Sequence, residues 1–190
     1  MTVSDGVSGA VSVRLPIETE RLVVRCFDPA VDAKPMFDVY GDPDVMRFIP
    51  GGVVADEPAV RSLLERYVEA HRRLGFSSWA VVERNTGRAI GDAGFGVFGP
   101  TGEIELGYTL ARDSWGHGFA AEAAGACLGA GLEQLRVERI IAVVDAENER
   151  SLRVPERIGM RRVETIEAHG RPHVLFAAAR TGAGASGVRC

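Results

Sequence analysis

Between Ser77 and Arg112 the chain abandons helical spacing for three extended runs, Ser77–Glu83, Arg88–Phe98 and Glu103–Arg112. They are separated by Asn85-Thr86-Gly87 and Gly99-Pro100-Thr101-Gly102, residue sets that favour tight turns. Links this short join antiparallel neighbours and leave no room for a crossover helix. A three-stranded antiparallel meander therefore occupies the middle of the 190 residues, and everything else must pack on it or extend it. Domains run to roughly 100–200 residues, so one domain with a single sizeable core is expected. The 46% hydrophobic and 25% charged content is ordinary for such a domain and argues against disorder.

The flanks supply the covering layers. Arg21–Phe27 (RLVVRCF) reads as a first strand, and Pro35–Phe48 carries helical spacing at Met36, Val39 and Tyr40, with a break at Pro43. Asp56 is placed to cap a second helix with Pro58 in its first turn, and Val60, Leu63, Leu64, Tyr67 and His71 form its apolar stripe up to Gly75. His71 reads as a packed or half-exposed helix residue. Downstream come a helix from about Gly118 to Leu135, a strand at Arg139–Asp145 and a short helix near Glu149–Ile158, with Gly159 after its end. Arg161–Glu167 and His173–Arg180, joined by His169-Gly170-Arg171-Pro172, close the sheet as a hairpin. The fold class is α/β with a mixed, mostly antiparallel sheet flanked by helices, and not a doubly wound parallel one. Residues 1–13 read as a flexible N-terminal tail without signal-peptide character, 14–180 as the domain, and the Gly/Ala/Ser stretch 181–190 as a flexible C-terminal tail.

Several function classes drop out. The net charge of −4 gives no general basic field for a nucleic-acid backbone. Of the 22 basic residues all but Lys34 are arginine, which reads as a coding bias and not as a set of anion sites. The longest strongly apolar stretch, Ile140–Val144, falls far short of the roughly 20 residues that span a bilayer, so no membrane partner is expected. Cys26, Cys127 and Cys190 are odd in number, lack a CxxC spacing and suit reduced thiols, hence a cytoplasmic location. Cys26 and Cys127 read as core residues, as do Trp79 and Phe95. His169 and His173 are separated by a Pro-containing turn, so no metal pair is expected, and no Cys/His/Asp cluster has metal-ligand spacing.

The chemistry is concentrated in Arg112-Asp113-Ser114-Trp115-Gly116-His117-Gly118-Phe119-Ala120-Ala121-Glu122-Ala123. Small residues cluster here where a strand hands over to a helix, leaving backbone amides uncovered at a partly positive helix start that can hold phosphate oxygens. A plain tight turn is the alternative from the glycines alone. There is no GxxxxGK[ST], and a GxGxxG would need glycine where Ala121 stands.

The string Trp115 to Ala123 resembles the acyl-CoA diphosphate loop of the GNAT superfamily of N-acetyltransferases. More closely, it is similar to the branch holding the ribosomal-protein N-terminal alanine and serine acetyltransferases. The resemblance covers most of residues 17–180: Glu20-Arg21-Leu22 opens it, Gly41-Asp42-Pro43-Asp44-Val45-Met46 follows, and Glu105-Leu106-Gly107-Tyr108 stands in its fourth strand. Asn148, Ser151, Glu156 and Gly159-Met160 repeat its later Asn-x-x-Ser…Glu-x-x-Gly pattern. It implies a single GNAT-like domain whose fourth and fifth strands splay, acetyl-CoA as cosubstrate, no metal, and direct transfer to a primary amine in a ternary complex.

The resemblance further implies that the diphosphate rests on the amides of Gly116, His117, Gly118, Phe119 and Ala120 beyond Trp115, which anchors the turn. Pantetheine would add like a strand along Leu110, Ala111 and Arg112, where a β-bulge frees an N–H near Leu110 for the thioester oxygen. Strand alternation sets Glu103, Glu105 and Gly107 on one face and Ile104, Leu106, Tyr108 and Leu110 on the other. Glu105 is the candidate base, a solvent-facing carboxylate being the alternative. Ser151 is the candidate hydrogen-bond donor to the sulfur, and Asn148 caps its helix or bonds the pantetheine. Many relatives place a tyrosine on this helix; residues 149–160 have none, and Pro155 within it predicts a kink or a late helix start. The acceptor is expected to be a protein or peptide N-terminus, with a small amine (aminoglycoside or polyamine) or a non-catalytic acyl-CoA-binding module as alternatives. Homodimerisation is left open.

Overall fold

A computed structural model describes residues 11–180. Its strands are β1 (Ile17–Glu18), β2 (Leu22–Arg25), β3 (Ser78–Glu83), β4 (Ala89–Phe98), β5 (Glu103–Leu110), β6 (Arg139–Asp145), β7 (Arg161–Ala168) and β8 (Arg171–Ala179). They form one sheet in the order β1-β2-β3-β4-β5-β6-β8-β7, antiparallel except where β5 meets β6. The meander is β3-β4-β5. A two-residue strand, β1, had no sequence signal, so the predicted fourth and fifth strands are β5 and β6.

The helices are α1 (Pro29–Tyr40), α2 (Pro43–Met46), α3 (Glu57–Leu74), α4 (Phe119–Gln134) and α5 (Glu149–Arg157). On one face α4 buries Ala123, Ala124, Cys127 and Leu128 against Val24, Trp79, Phe95, Leu106 and Ile140, and α5 packs Leu152 and Val154 on the same cluster. On the other, α1 and α3 bury Met36, Val39, Val60 and Leu64 against Ala80 and Ala89. Trp79 and Phe95 meet edge to face at 5.7 Å, and the Trp79 indole donates to His71 Nδ1 at 3.3 Å, which accounts for the packed histidine on the α3 stripe. In α4, a Cβ on Gly131 would lie 2.5 Å from the Phe95 side chain and 2.8 Å from that of Ile140, so the helix backbone rests directly on these two sheet side chains. Nothing in the packing explains Gly129, where a Cβ would meet open space.

Four expectations need correction. The first helix starts at Pro29 and not near Pro35, because the Asp28 carboxylate caps Ala30 and buried Asp32 takes both guanidinium nitrogens of Arg25 at 2.7 and 2.8 Å. Residues 11–13 are not a loose tail: the Val13 N–H donates to Gly75 O at 2.8 Å and its side chain enters the core. The remaining tail assignments, and Cys190, lie outside the described residues. The final turn is shorter than expected, with His169 and Gly170 both at positive φ and Arg171-Pro172 already in the strand. The expected bulge is absent from β5, which pairs with β4 without a break; the register shifts one strand over, between Val81 and Val82, leaving Ile90 as the extra residue.

Candidate active site

Only one residue pair, Glu105 with Ile141, joins β5 to β6. Beyond it the strands separate, while β4 stays paired along all of β5 and β8 along all of β6. The result is a gap open at the ends of both strands, in the middle of the sheet. Ala111 donates to Ile90 O at 2.8 Å, so by the alternation of an antiparallel ladder the Leu110 N–H points the opposite way, into the gap. The bulge is not needed to free it.

The chain leaves β5 through a 3-10 turn, Arg112–Ser114, so Arg112 is not in the strand; its guanidinium pairs with Asp44. Trp115 then folds back and donates its indole N–H to Leu110 O at 2.8 Å, anchoring the loop to the strand it has just left. Gly116 and Gly118 both adopt the left-handed conformation (φ 81° and 82°), and Gly118 is the N-cap of α4 with no side-chain hydrogen bond capping the helix start. A Cβ on Gly116 would meet nothing within 4 Å. Exposed His117 lies between them, and half-buried Phe119 and Ala120 open the helix. This row of uncovered amides at the start of a four-turn helix can hold an oxyanion.

The strand acids part company. Glu103 is taken by Arg139 at 2.6 Å, a bond that holds its carboxyl below the usual range. Glu105 has no cation: burial pushes its carboxyl up to about 7, against the opposing effect of a hydrogen bond from the Val143 N–H of β6. Its carboxylate thus reaches across the mouth of the gap, so the solvent-facing alternative does not hold. A carboxyl so poised is half ionised near neutrality, as a general base requires.

Opposite, Asn148 caps α5 by accepting from the Ser151 N–H at 3.2 Å. Ser151 does not turn its hydroxyl to the backbone; it donates to the Tyr108 hydroxyl at 2.9 Å, and Tyr108 donates to Ser151 O at 3.0 Å. Tyr108, on the face of β5 opposite Glu105, was not among the predicted site residues. The signal for it was Pro155. A proline lacks the N–H that would bond the carbonyl four residues earlier, which here is Ser151 O, and that vacancy is filled by the phenol. The expected late start does not occur: α5 runs unbroken from Glu149 to Arg157 with Pro155 buried. Burial pushes the Tyr108 phenol up to about 12, so it remains a neutral donor. Arg150 completes this side by stacking on Trp115, 4.9 Å from the ring centre. Among the described residues no group of three His, Cys, Asp or Glu side chains is arranged to hold a metal ion.

Residues 21–161 match the acetyltransferase (GNAT) domain family. The chain belongs to this family. Among curated proteins it is 32% identical over 146 residues to the uncharacterized N-acetyltransferase YnaD of Bacillus subtilis, covering 77% of this chain and 82% of that one. A GNAT-family acetyltransferase from Bacillus anthracis superposes with a TM-score of 0.76 at 28% identity, over 88% of this chain and all of its own. The fold is also that of RimL, a ribosomal L7/L12 alpha-N-protein acetyltransferase solved in complex with coenzyme A, at a TM-score of 0.74, 15% identity, 87% of this chain and 98% of that one. The gap, the glycine loop and the Glu105 and Ser151 walls are therefore the candidate active site of a GNAT acetyltransferase.

Proposed function

We propose that this acetyltransferase moves the acetyl group of acetyl-CoA directly to a primary amine, by preference the N-terminus of a protein or peptide. The observation that carries the reading is the gap itself: an uncovered helix start at one end, a free strand N–H in its wall, and a carboxyl poised near pH 7 at its mouth. The amides of Gly116, Gly118 and Ala120 hold the diphosphate. Pantetheine lies in the gap, where the Leu110 N–H is free, while the Ala111 N–H and C=O are already bonded to Ile90 and Ser114 and the Leu110 C=O to Trp115. The Leu110 N–H donates to the thioester oxygen as negative charge develops on it.

Glu105 and the Tyr108–Ser151 pair lie on opposite faces of β5, so amine and thiol are handled from opposite sides of the gap. The amine nitrogen bonds to the acetyl carbon, the carbon–sulfur bond breaks, and the amine proton passes to Glu105 directly or through water. Ser151 turns its hydroxyl from Tyr108 to the departing sulfur. A thiol of pKa about 8.5 leaves without full protonation, so a hydrogen bond from Ser151 suffices and the phenol keeps its proton.

The choice of acceptor rests on chemistry and on RimL, whose described substrate is a protein α-amine. An α-amine of pKa about 8 is partly neutral at pH 7.5, and a carboxylate near 7 suits it better than a lysine-like amine near 10.4. A thiol-release screen with acetyl-CoA, spanning Ala- and Ser-starting peptides, polyamines and aminoglycosides, tests the proposal. Turnover of the peptides below pH 9 is expected. Activity confined to polyamines or sugar amines, rising only above pH 9, would overturn the acceptor assignment.

A further inference from the structure

The glycine loop is held from behind by a residue far away in sequence. Arg21, in the turn between β1 and β2, donates from one terminal nitrogen to His117 O at 2.9 Å and from Nε to Glu122 at 2.7 Å, while its other terminal nitrogen stands 2.5 Å from the same carboxylate oxygen. The second Glu122 oxygen accepts from Thr19 Oγ1 at 2.6 Å and from the Arg21 N–H at 2.9 Å. The guanidinium also lies 4.6 Å from the centre of the Phe119 ring, whose plane stacks on His117.

Two electrostatic consequences follow. Glu122 stands in the first turn of α4, where a bare carboxylate would repel an anion at the helix start. Although burial works against ionisation, bonds from Thr19 and Arg21 hold this carboxyl below its usual range, and the guanidinium cancels its charge. Secondly, His117 C=O and Gly118 N–H belong to one peptide unit. A cation bonded to the carbonyl polarises that unit and makes the opposite N–H a stronger donor.

We propose that Arg21 is a positioning residue for the CoA diphosphate, acting through the His117–Gly118 peptide and by neutralising Glu122, without contact to the phosphates. This rests on the reading that the loop amides bind the diphosphate.

The test compares two ligands, CoA and pantetheine, which has the thiol arm and no phosphate. Arg21→Gln and Arg21→Lys are titrated in the full chain, CoA by calorimetry and pantetheine by NMR, with fold checked by near-UV circular dichroism. Arg21→Gln is expected to weaken CoA about 5- to 30-fold, the effect of an uncompensated charge at a partly buried helix terminus, and to leave pantetheine within about twofold. Arg21→Lys, with the charge but not the fork, is expected to recover part of the CoA loss. CoA affinity unchanged in both variants, or CoA and pantetheine weakened in equal proportion, would overturn the inference; the latter is what loss of a merely structural clamp would give. If Arg21→Gln does not fold, Arg21→Lys decides by the same ratio of the two ligands. Gly118→Glu separates the two levels. If it leaves CoA affinity intact, the diphosphate assignment fails and this inference with it; if it abolishes CoA binding while the Arg21 variants bind normally, this inference alone fails.

Discussion

Glu105 and Glu103 are two residues apart on one strand face, yet only one of them is available for proton transfer. Arg139 holds Glu103, whereas Glu105 is lifted to about 7 by burial beside the gap. The base is the ionised form, so kcat/KM is expected to level only above about pH 8, where the α-amine is neutral, and to show a further inflection at about pH 7 from Glu105. Glu105→Gln should remove that inflection and lower kcat/KM by about 10²- to 10⁴-fold, measured as thiol release across pH 6–9. A retained inflection would assign the titration to another group. Ser151→Ala, by contrast, is expected to lower kcat by about 10-fold with CoA affinity unchanged, because thiolate departure needs only hydrogen-bond help. The residue types at both positions were legible in the sequence. The Tyr108 contact was not, because residues 43 apart meet only once β5 and α5 pack together.

Helices α4 and α5 show how far local pattern reaches. In α4 the glycines before the first turn, the lack of a side-chain cap and the length were all readable, since each depends on neighbours in sequence. The Arg21–Glu122 clasp was not, because its partners are 101 residues apart. In α5, Pro155 was read by its cost to a regular helix, about 3 kcal/mol in an interior. The structure answers that cost by giving the vacated Ser151 carbonyl to Tyr108. Pro155→Ala returns an N–H to compete for that carbonyl. The variant is expected to gain about 1 kcal/mol of stability, less than the propensity difference because alanine also frees the unfolded chain, and to lose kcat about as Ser151→Ala does. A thermal melt and a turnover assay check the two halves; higher Tm with unchanged kcat would show that Tyr108 does not hold Ser151 for the reaction.

Across the whole molecule the two layers of helices are tied to the sheet by different chemistry. The α4 face is almost wholly apolar, while under α1 the fully buried Asp92 of β4 accepts from the Tyr40 hydroxyl at 2.7 Å. Burial pushes the Asp92 carboxyl up to about 6, although bonds from Tyr40 and Thr109 oppose it. A folded-state pKa above the unfolded value means that the native state holds the proton longer. Stability from this group is therefore complete below about pH 4, falls as pH rises towards 6, and stays low above it. Urea unfolding from pH 4 to 7 should show wild type losing about 2 kcal/mol relative to Asp92→Asn, whose side chain does not titrate; parallel curves would place the proton elsewhere.

By itself the sequence determined most of the elements and much of the architecture: a meander with tight turns, helices capped at Asp56 and Asn148, glycines where a left-handed conformation was required, and apolar stripes of the right period. All of these are set by interactions within a few residues, where spacing in sequence is spacing in space. The tertiary structure alone decided where β5 and β6 part, which strand acid escapes a cation, and which side chains meet behind the loop and across the gap. Those outcomes depend on groups brought together by the order of strands in the sheet, and no local spacing records that order.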